Sequence, residues 1–388
     1  MTPVEIVFIL LFSLPAYVAM MCGLYLARMA YLKENPFGRR PFIMTIVLYF
    51  VTMLVWFSQI LYYVFPEVYV TLNAFIFLIC LIIYVLSYRF VFEITKAYPS
   101  ETFSVFHFLM PLTGFAVMLV WSFLVPCDVQ LSLVRSGGGV AVEGYKWFSM
   151  FFNSGIPLLL GLNVFYSLLG LRRISRYRHF VVNYSADEYR GALTWLYHYI
   201  FTLLAFFAGI GSLYFVSKII PVSPWFLLIP ALIAVFKYVI LLHNILLENF
   251  VIISIDTTDP GDSNQHSDKS EPEVVPLQSL NDSVNSTIKI LETYMKKKKP
   301  YLNPKFKITD MCSDLNTNRT SLSNLINCTY GVNFCRFINR YRLIEYKQIK
   351  SKPENKNLSE EDLANKAGFS DFRGYLRVRF REEIPSID

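Results

Sequence analysis

Residues 315–343 read LNTNRTSLSNLINCTYGVNFCRFINRYRL, and this stretch decides how the C-terminal part of the chain folds. Leucines recur at helical spacing, Asn318 stands where its side chain can cap a helix, and Gly331 stands where a helix can end. The preceding ITDMCSDL, at 308–315, suits a short amphipathic helix. We therefore predict two short helices joined by a tight turn, the second covering residues 319–330.

The second of these helices carries polar side chains opposite its apolar ones. We expect Leu322, Leu325 and Ile326 to be buried. The side chains expected outside are Arg319, Thr320, Ser323, Asn324 and Asn327. Asparagine and arginine have paired hydrogen-bonding groups that fit base edges in the major groove, as in a DNA-binding helix-turn-helix. A helical pair with a merely solvated polar face would explain this part of the pattern as well.

A longer helix and a second helical pair follow. The run VNFCRFINRYRLIEYKQI, at 332–349, predicts one helix whose apolar residues are Phe334, Phe337, Ile338, Tyr341 and Ile344. The run LSEEDLANKAGFSDFRGYLRVRFREE, at 358–383, predicts the second pair. Its inward residues are Leu358, Leu363, Ala364 and Ala367, and its last helix carries Arg373, Arg377, Arg379 and Arg381.

The order of half, bridging helix and second half closely resembles the DNA-binding domain of the AraC/XylS family of transcription regulators. The resemblance covers about residues 300–385, and its most specific words are TNRTSLSNLIN, YGVNFCRFINRYRL and LANKAGFSD. It implies that the second helix of each half enters the major groove. Carried onto this chain, it implies base contacts from Thr320, Ser323, Asn324, Arg373 and Arg377, and phosphate contacts from Arg319 and Asn327. The second half departs from the family in having Gly374 inside its last helix, and its Tyr375, Leu376 and Phe380 match the family's two buried aromatic positions only with a one-residue shift.

The part of the chain before residue 250 has a different composition. Of the 388 residues 54% are hydrophobic, the mean hydropathy is +0.41, and the excess lies in long apolar runs in this part. Crossing a bilayer takes about 20 residues per helix. Seven segments satisfy this length, at 4–30, 42–65, 69–92, 103–125, 147–171, 192–217 and 222–247. We predict an all-α protein whose N-terminal domain is a seven-helix transmembrane bundle.

Lysine and arginine in the connecting segments predict the orientation of the bundle. One side carries eleven of them before the C-terminal part begins, and the other side carries only Arg135, Lys146 and Lys218. Positive charge is retained in the cytoplasm. We therefore expect an integral protein of a bacterial inner (cytoplasmic) membrane, with its N-terminus outside and its DNA-binding domain in the cytoplasm.

The C-terminal part divides into three segments after the bundle at 1–250. Residues 251–276 are predicted to form a disordered linker, because the part from Ser254 onward has six acids against one lysine. Residues 277–299 predict an amphipathic helix and a basic run; its apolar stripe either packs locally or forms a homodimer through 280–295. Residues 300–388 are the predicted DNA-binding domain. Lys289–Asp388 carries 20 Lys and Arg against 12 Asp and Glu, which favours a polyanionic partner.

One charged residue lies deep within a predicted span. Lys237, in ALIAVFKYVILLHN at 231–244, is some nine residues, or about 14 Å, from the end of its helix. It predicts a counter-charge for a small anionic ligand or for an acid such as Glu5, and a lysine on a wet interior seam is the plain alternative. A retinal-type Schiff base is excluded, because the third span has no carboxylate within its apolar stretch.

These patterns predict a membrane-tethered, sequence-specific DNA-binding transcription factor whose bundle anchors it and could also serve as a sensor. The partners expected are double-stranded DNA, membrane lipid and a small anionic signal. The alternative is a transporter or receptor whose cytoplasmic tail docks a protein. No catalytic or metal-ligating set stands out, and the six cysteines form no CxxC pair, so we expect neither an enzyme nor a cofactor.

Overall fold

A computed structural model of the chain describes residues 3–32, 36–96, 101–137, 144–217, 220, 223–251, 253 and 277–383. Over these ranges the secondary structure is helical and contains no strand, as the sequence predicts. The α-helices in chain order are α1 (Pro3–Tyr31), α2 (Pro36–Val64), α3 (Pro66–Thr71), α4 (Asn73–Ile94), α5 (Leu109–Leu124), α6 (Cys127–Arg135), α7 (Lys146–Val181), α8 (Glu188–Gly191), α9 (Thr194–Ser217), α10 (Leu228–Leu246), α11 (Leu277–Lys298), α12 (Ile308–Leu315), α13 (Arg319–Tyr330), α14 (Phe334–Ser351), α15 (Glu360–Lys366) and α16 (Phe372–Glu383).

Seven of these helices are long and apolar enough to cross a membrane, which indicates a membrane protein. They are α1, α2, α4, α5, α7, α9 and α10, and they lie where hydropathy predicts them. The exception is the end of α7, which continues ten residues beyond the predicted 171. Its 36 residues make a helix of roughly 54 Å, well above the ~30 Å of a hydrocarbon core, because the polar residues after Leu171 remain helical.

The chain divides into two compact units. The first holds the membrane helices and consists of Met1–Thr95, Thr102–Ile174 and Thr194–Glu248. The second consists of Lys96–Glu101, Ser175–Leu193 and Asn249–Asp388. The end of α7 and the residues that follow it therefore belong to the same unit as the C-terminal helices.

Within the first unit, α1 packs against α2 and α10, α4 lies between α2 and α5, and α9 packs against α10. Side-chain hydrogen bonds add to this apolar packing. The hydroxyl of Tyr49 donates to the carbonyl oxygen of Tyr238 at 2.6 Å, and Trp56 Nε1 donates to the Tyr238 hydroxyl at 2.9 Å. Polar groups inside a membrane bundle need such internal partners because lipid offers none. The two bonds hold α2 against α10.

The first helical pair of the second unit forms as the local sequence predicts. The Asn318 side chain accepts a hydrogen bond from the Ser321 amide at 2.7 Å and caps α13. Gly331 ends the helix in the left-handed region, with φ of 65°. Leu322 and Ile326 are buried, whereas Leu325 is only half-buried.

The second pair has its predicted core with one correction. Leu363, Ala364 and Ala367 pack with Phe369, Tyr375 and Val378 in one buried cluster. Phe380, matched to a buried aromatic position, is 60% exposed, and Val378 is buried instead. Five residues turn a helix side chain by about 140°, so a helix that buries Tyr375 turns position 380 away from the core. Ile344 in α14 is likewise exposed.

Helix α11 packs on its own unit. Leu291 and Met295 are fully buried, Ile288 is half-buried and Thr287 is exposed. For these two residues the burial agrees with the local-packing alternative, and the predicted homodimer through 280–295 stays a prediction. The side chains of 280 and 284 and the predicted linker from 254 to 276 lie outside the described residues. Val251 and Ile253, at the start of the predicted linker, are buried.

Candidate nucleic-acid interface and intramembrane cavity

Helix α13 presents a continuous row of polar side chains. Thr320, Ser323, Asn324 and Asn327 follow one another at helical spacing, with both asparagines exposed and the two hydroxyl residues half-buried. The opposite face is held by Leu322 and Ile326 in the core. The row therefore consists of amide and hydroxyl groups on a helix whose other side is fixed.

Helix α16 presents a row of arginines. Arg373, Arg377 and Arg381 are one helical turn apart and exposed, while Tyr375 and Val378 anchor the opposite face. Gly374 lies within the helix, which continues through it to Glu383. The row places guanidinium groups, which suit guanine edges and phosphates, along one side of α16.

Two ion pairs fix α16 to the bridging helix α14. Arg336 Nε lies 2.6 Å from Glu382 Oε1, and Arg340 Nε lies 3.4 Å from Glu382 Oε2. Partial burial opposes ionisation of this carboxyl, but the hydrogen bond from Arg336 and the charge of Arg340 outweigh burial and lower its pKa. The carboxylate therefore joins the ends of two helices.

A buried arginine that sequence reasoning missed lies at the centre of the second unit. Arg342 is 2% exposed. Its guanidinium donates to the carbonyl oxygens of Tyr301 at 2.8 Å, Ala186 at 2.8 Å and Asn303 at 2.9 Å, and to Asn339 Oδ1 at 3.1 Å. Burial lowers the pKa of Arg342 to about 10, so the group stays charged at neutral pH. Nothing in the surrounding RYRLIEY distinguishes it from a surface arginine.

Residues 182–187, which we name the docking segment, pair with the start of α12. The Ala186 amide donates to the Phe306 carbonyl at 3.1 Å and the Ile308 amide donates to the Tyr184 carbonyl at 2.9 Å, which makes an antiparallel bridge between Ser185 and Lys307. The Cys335 amide also donates to the carbonyl of Val182 at 3.0 Å. The sequence predicts only a short connection here, because these contacts join residues more than a hundred positions apart.

Arg319, at the first position of α13, lies near the end of α7. Its guanidinium carbon is 5.2 Å from the centroid of the Phe180 ring, within the range of a cation–π contact. The family resemblance gives Arg319 a phosphate as partner. In the structure, therefore, the residue predicted to contact a phosphate lies against the ring of Phe180, near the end of α7.

Lys237 lies inside the first unit beside a cavity of about 190 Å³. Its side chain is almost buried, and Nζ lies 4.9 Å from the ring centroid of Tyr238 and 5.6 Å from that of Phe206. The described residues that line the cavity include no carboxylate, and Glu5, the partner that the sequence offered, does not line it. The groups that lie near the Lys237 ammonium are therefore aromatic rings and not carboxylates.

Sequence reasoning also missed Tyr84, which lines the same cavity. It is 2% exposed, and its hydroxyl has no hydrogen-bond partner among the described residues. A tyrosine in an apolar span carries no signal that its hydroxyl will be unsatisfied, because that depends on the neighbouring helices.

Among the residues that the structure describes, no group of three or more His, Cys, Asp or Glu could hold a metal ion, and the six cysteines are free thiols. Comparison of the chain with protein-family models, with curated proteins and with solved structures found no match. Its function therefore has to be inferred from the two helical rows and the cavity.

Proposed function

We propose that the chain is a membrane-tethered, sequence-specific DNA-binding transcription regulator of the AraC/XylS type. The observation that carries the proposal is the pair of rows on α13 and α16. Each row stands on the second helix of a tight helical pair, and each helix is held from behind by a buried core. A row of amides and hydroxyls and a row of guanidiniums are the side-chain sets that read base edges.

In this proposal Thr320, Ser323 and Asn324 contact bases in one major-groove segment. Arg373 and Arg377 contact bases in the next, where their forked donors fit guanine. Asn327 and Arg319 contact phosphates, which position the domain without selecting a sequence. The surplus of basic residues over residues 289–388 supports such a partner, and it predicts an affinity that falls steeply with salt.

The membrane bundle serves as the anchor. Seven apolar helices together with the positive charge on one side of their connections support a bacterial inner-membrane protein with the DNA-binding unit in the cytoplasm. A regulator held there searches the DNA that passes near the membrane surface.

The docking segment supports a sensing role as well. It follows α7 in the chain, and it is paired to α12 and hydrogen-bonded to Arg342 in the unit that carries both rows. A change at the end of α7 would therefore reach α12 and α13 through backbone pairing, independently of residues 254–276. We propose that a signal received by the bundle is transmitted by this route.

Transcript profiling of cells that carry the intact chain, a deletion or point variants tests the proposal. Asn324→Ala and Arg373→Ala remove one predicted base contact from each row. Gln348→Ala and Lys356→Ala are matched controls at exposed positions outside both rows.

We expect the first two variants to reproduce the deletion profile and the controls to keep the wild-type profile. A wild-type profile in the Asn324 and Arg373 variants would contradict DNA reading. It would favour a transporter or receptor whose tail docks a protein.

A further inference from the structure

We propose that the cavity around Lys237 binds a small amphiphilic carboxylate, with an apolar body about the size of one aromatic ring and a single negative head. The inference deepens the sensing role and rests on the proposed function for its regulatory consequence. The binding itself depends only on the first unit.

The ammonium group of Lys237 has no hydrogen-bond acceptor among the described residues. No described residue accepts a hydrogen bond from Nζ or forms an ion pair with it, and its nearest groups are the ring faces of Phe206 and Tyr238. Ring faces attract a cation but supply no acceptor for its three N–H groups. It is also the one charged residue among the described residues that line the cavity. A carboxylate would supply both the missing charge and the missing acceptor.

Tyr84 also lines the cavity, and its buried hydroxyl is a second donor without a partner among the described residues. A buried donor without an acceptor costs about 1–3 kcal/mol. A carboxylate has two oxygens, so it can accept from the ammonium and from the hydroxyl together. The two donors come from α10 and α4, and a ligand between them would join two helices that are far apart in the chain.

The remaining wall favours an aromatic body. Tyr49, Trp56, Tyr63, Tyr199 and Phe207 line the cavity with Phe206. An apolar cavity of about 150 Å³ is enough for benzene, so about 190 Å³ leaves room for a ring and a carboxylate. The hydrogen bonds of Tyr49 and Trp56 to Tyr238 hold part of this wall in place without a ligand.

The test uses the purified full chain in lipid nanodiscs, with binding measured by isothermal titration calorimetry. Phenylacetate is the probe, phenylacetamide is its uncharged counterpart, and laurate represents a lipid-derived carboxylate. Lys237→Met removes the charge and keeps the length of the side chain, and Tyr84→Phe removes only the hydroxyl. Lys146→Met and Tyr25→Phe are controls at exposed positions away from the cavity.

We expect phenylacetate to bind with a Kd that rises at least tenfold in Lys237→Met and severalfold in Tyr84→Phe, with no change in either control. Equal binding of phenylacetamide, an unchanged Kd in Lys237→Met, or no binding of phenylacetate would overturn the proposal. Binding of laurate alone would overturn the ring-sized ligand. Should Lys237→Met fail to fold, Tyr84→Phe and the phenylacetamide comparison still decide. Because no DNA is present, a failure of the DNA-binding proposal leaves these results unaffected.

Discussion

Arg342 makes the sharpest prediction, because one side chain joins three parts of the second unit. Three of its four hydrogen bonds connect α14 to residues 301–303 and to the docking segment, and the fourth, to Asn339, lies within α14. The substitution Arg342→Met keeps a long apolar side chain and removes every donor. It leaves two buried backbone carbonyls, one partly buried carbonyl and one side-chain amide oxygen without this partner.

The expected cost follows from these groups. Each buried acceptor that loses its donor costs about 1–3 kcal/mol, and the relief of no longer burying a guanidinium offsets several kcal/mol of that. We expect a net loss of about 3–5 kcal/mol, the range found when one member of a buried charged network is removed. At roughly 1.4 kcal/mol per factor of ten, local opening becomes about 10² to 10⁴ times more frequent.

Hydrogen exchange of the full chain in nanodiscs, followed by mass spectrometry, measures this opening. Peptides that contain the amides of Ala186, Ile308 and Cys335 should exchange faster by that factor. These amides make the backbone hydrogen bonds between the docking segment and the C-terminal helices. Arg340→Met is the matched control. Its ion pair is partly exposed, so a loss below about 1 kcal/mol is expected. An effect of Arg342→Met no larger than that of Arg340→Met would refute the role of Arg342.

Two further substitutions test the second unit. Gly368 has φ of 93°, and a Cβ there would lie 2.7 Å from the Leu302 Cα, so Gly368→Ala should cost about 2–4 kcal/mol in urea unfolding. Gly331→Ala is the control, because Gly331 has open space around it, and it should cost about 1 kcal/mol. Equal costs for the two substitutions would contradict the close packing of Gly368 against Leu302. The lowered pKa of Glu382 means that its ion pairs stabilise the fold above the usual glutamate value of 4.5 and are lost as pH falls through the lower folded value. Glu382→Gln should therefore flatten the loss of stability that occurs as pH falls below the usual glutamate value of 4.5. An unchanged pH dependence would contradict the pairing with Arg336.

The parts of the fold that local sequence determines were predictable. The spans follow from hydropathy, and the first helical pair follows from Asn318 and Gly331, whose roles depend on neighbours a few residues away. The second pair was predicted less accurately. Its arginine-rich last helix has several apolar residues, and only tertiary packing decides that Val378 rather than Phe380 enters the core.

The contacts that connect distant segments could not be predicted. Arg342 looks like a surface residue in the sequence, yet its acceptors are carbonyl oxygens placed there by other segments. The docking segment is held by backbone groups, which every residue has, so no side-chain pattern marks it. Lys237 was identifiable because a charge in a span is costly, whereas the unsatisfied hydroxyl of Tyr84 is a property of the assembled bundle.

Sequence selection by the intact protein tests the central claim most directly. Full chain in nanodiscs is incubated with random double-stranded DNA, and bound molecules are amplified and sequenced over several rounds. Regulation by base reading predicts an enriched site that spans two successive major-groove segments, with the preference in one segment lost in Asn324→Ala and in the other lost in Arg373→Ala. Retention of all sequences equally, with no position enriched, would contradict it.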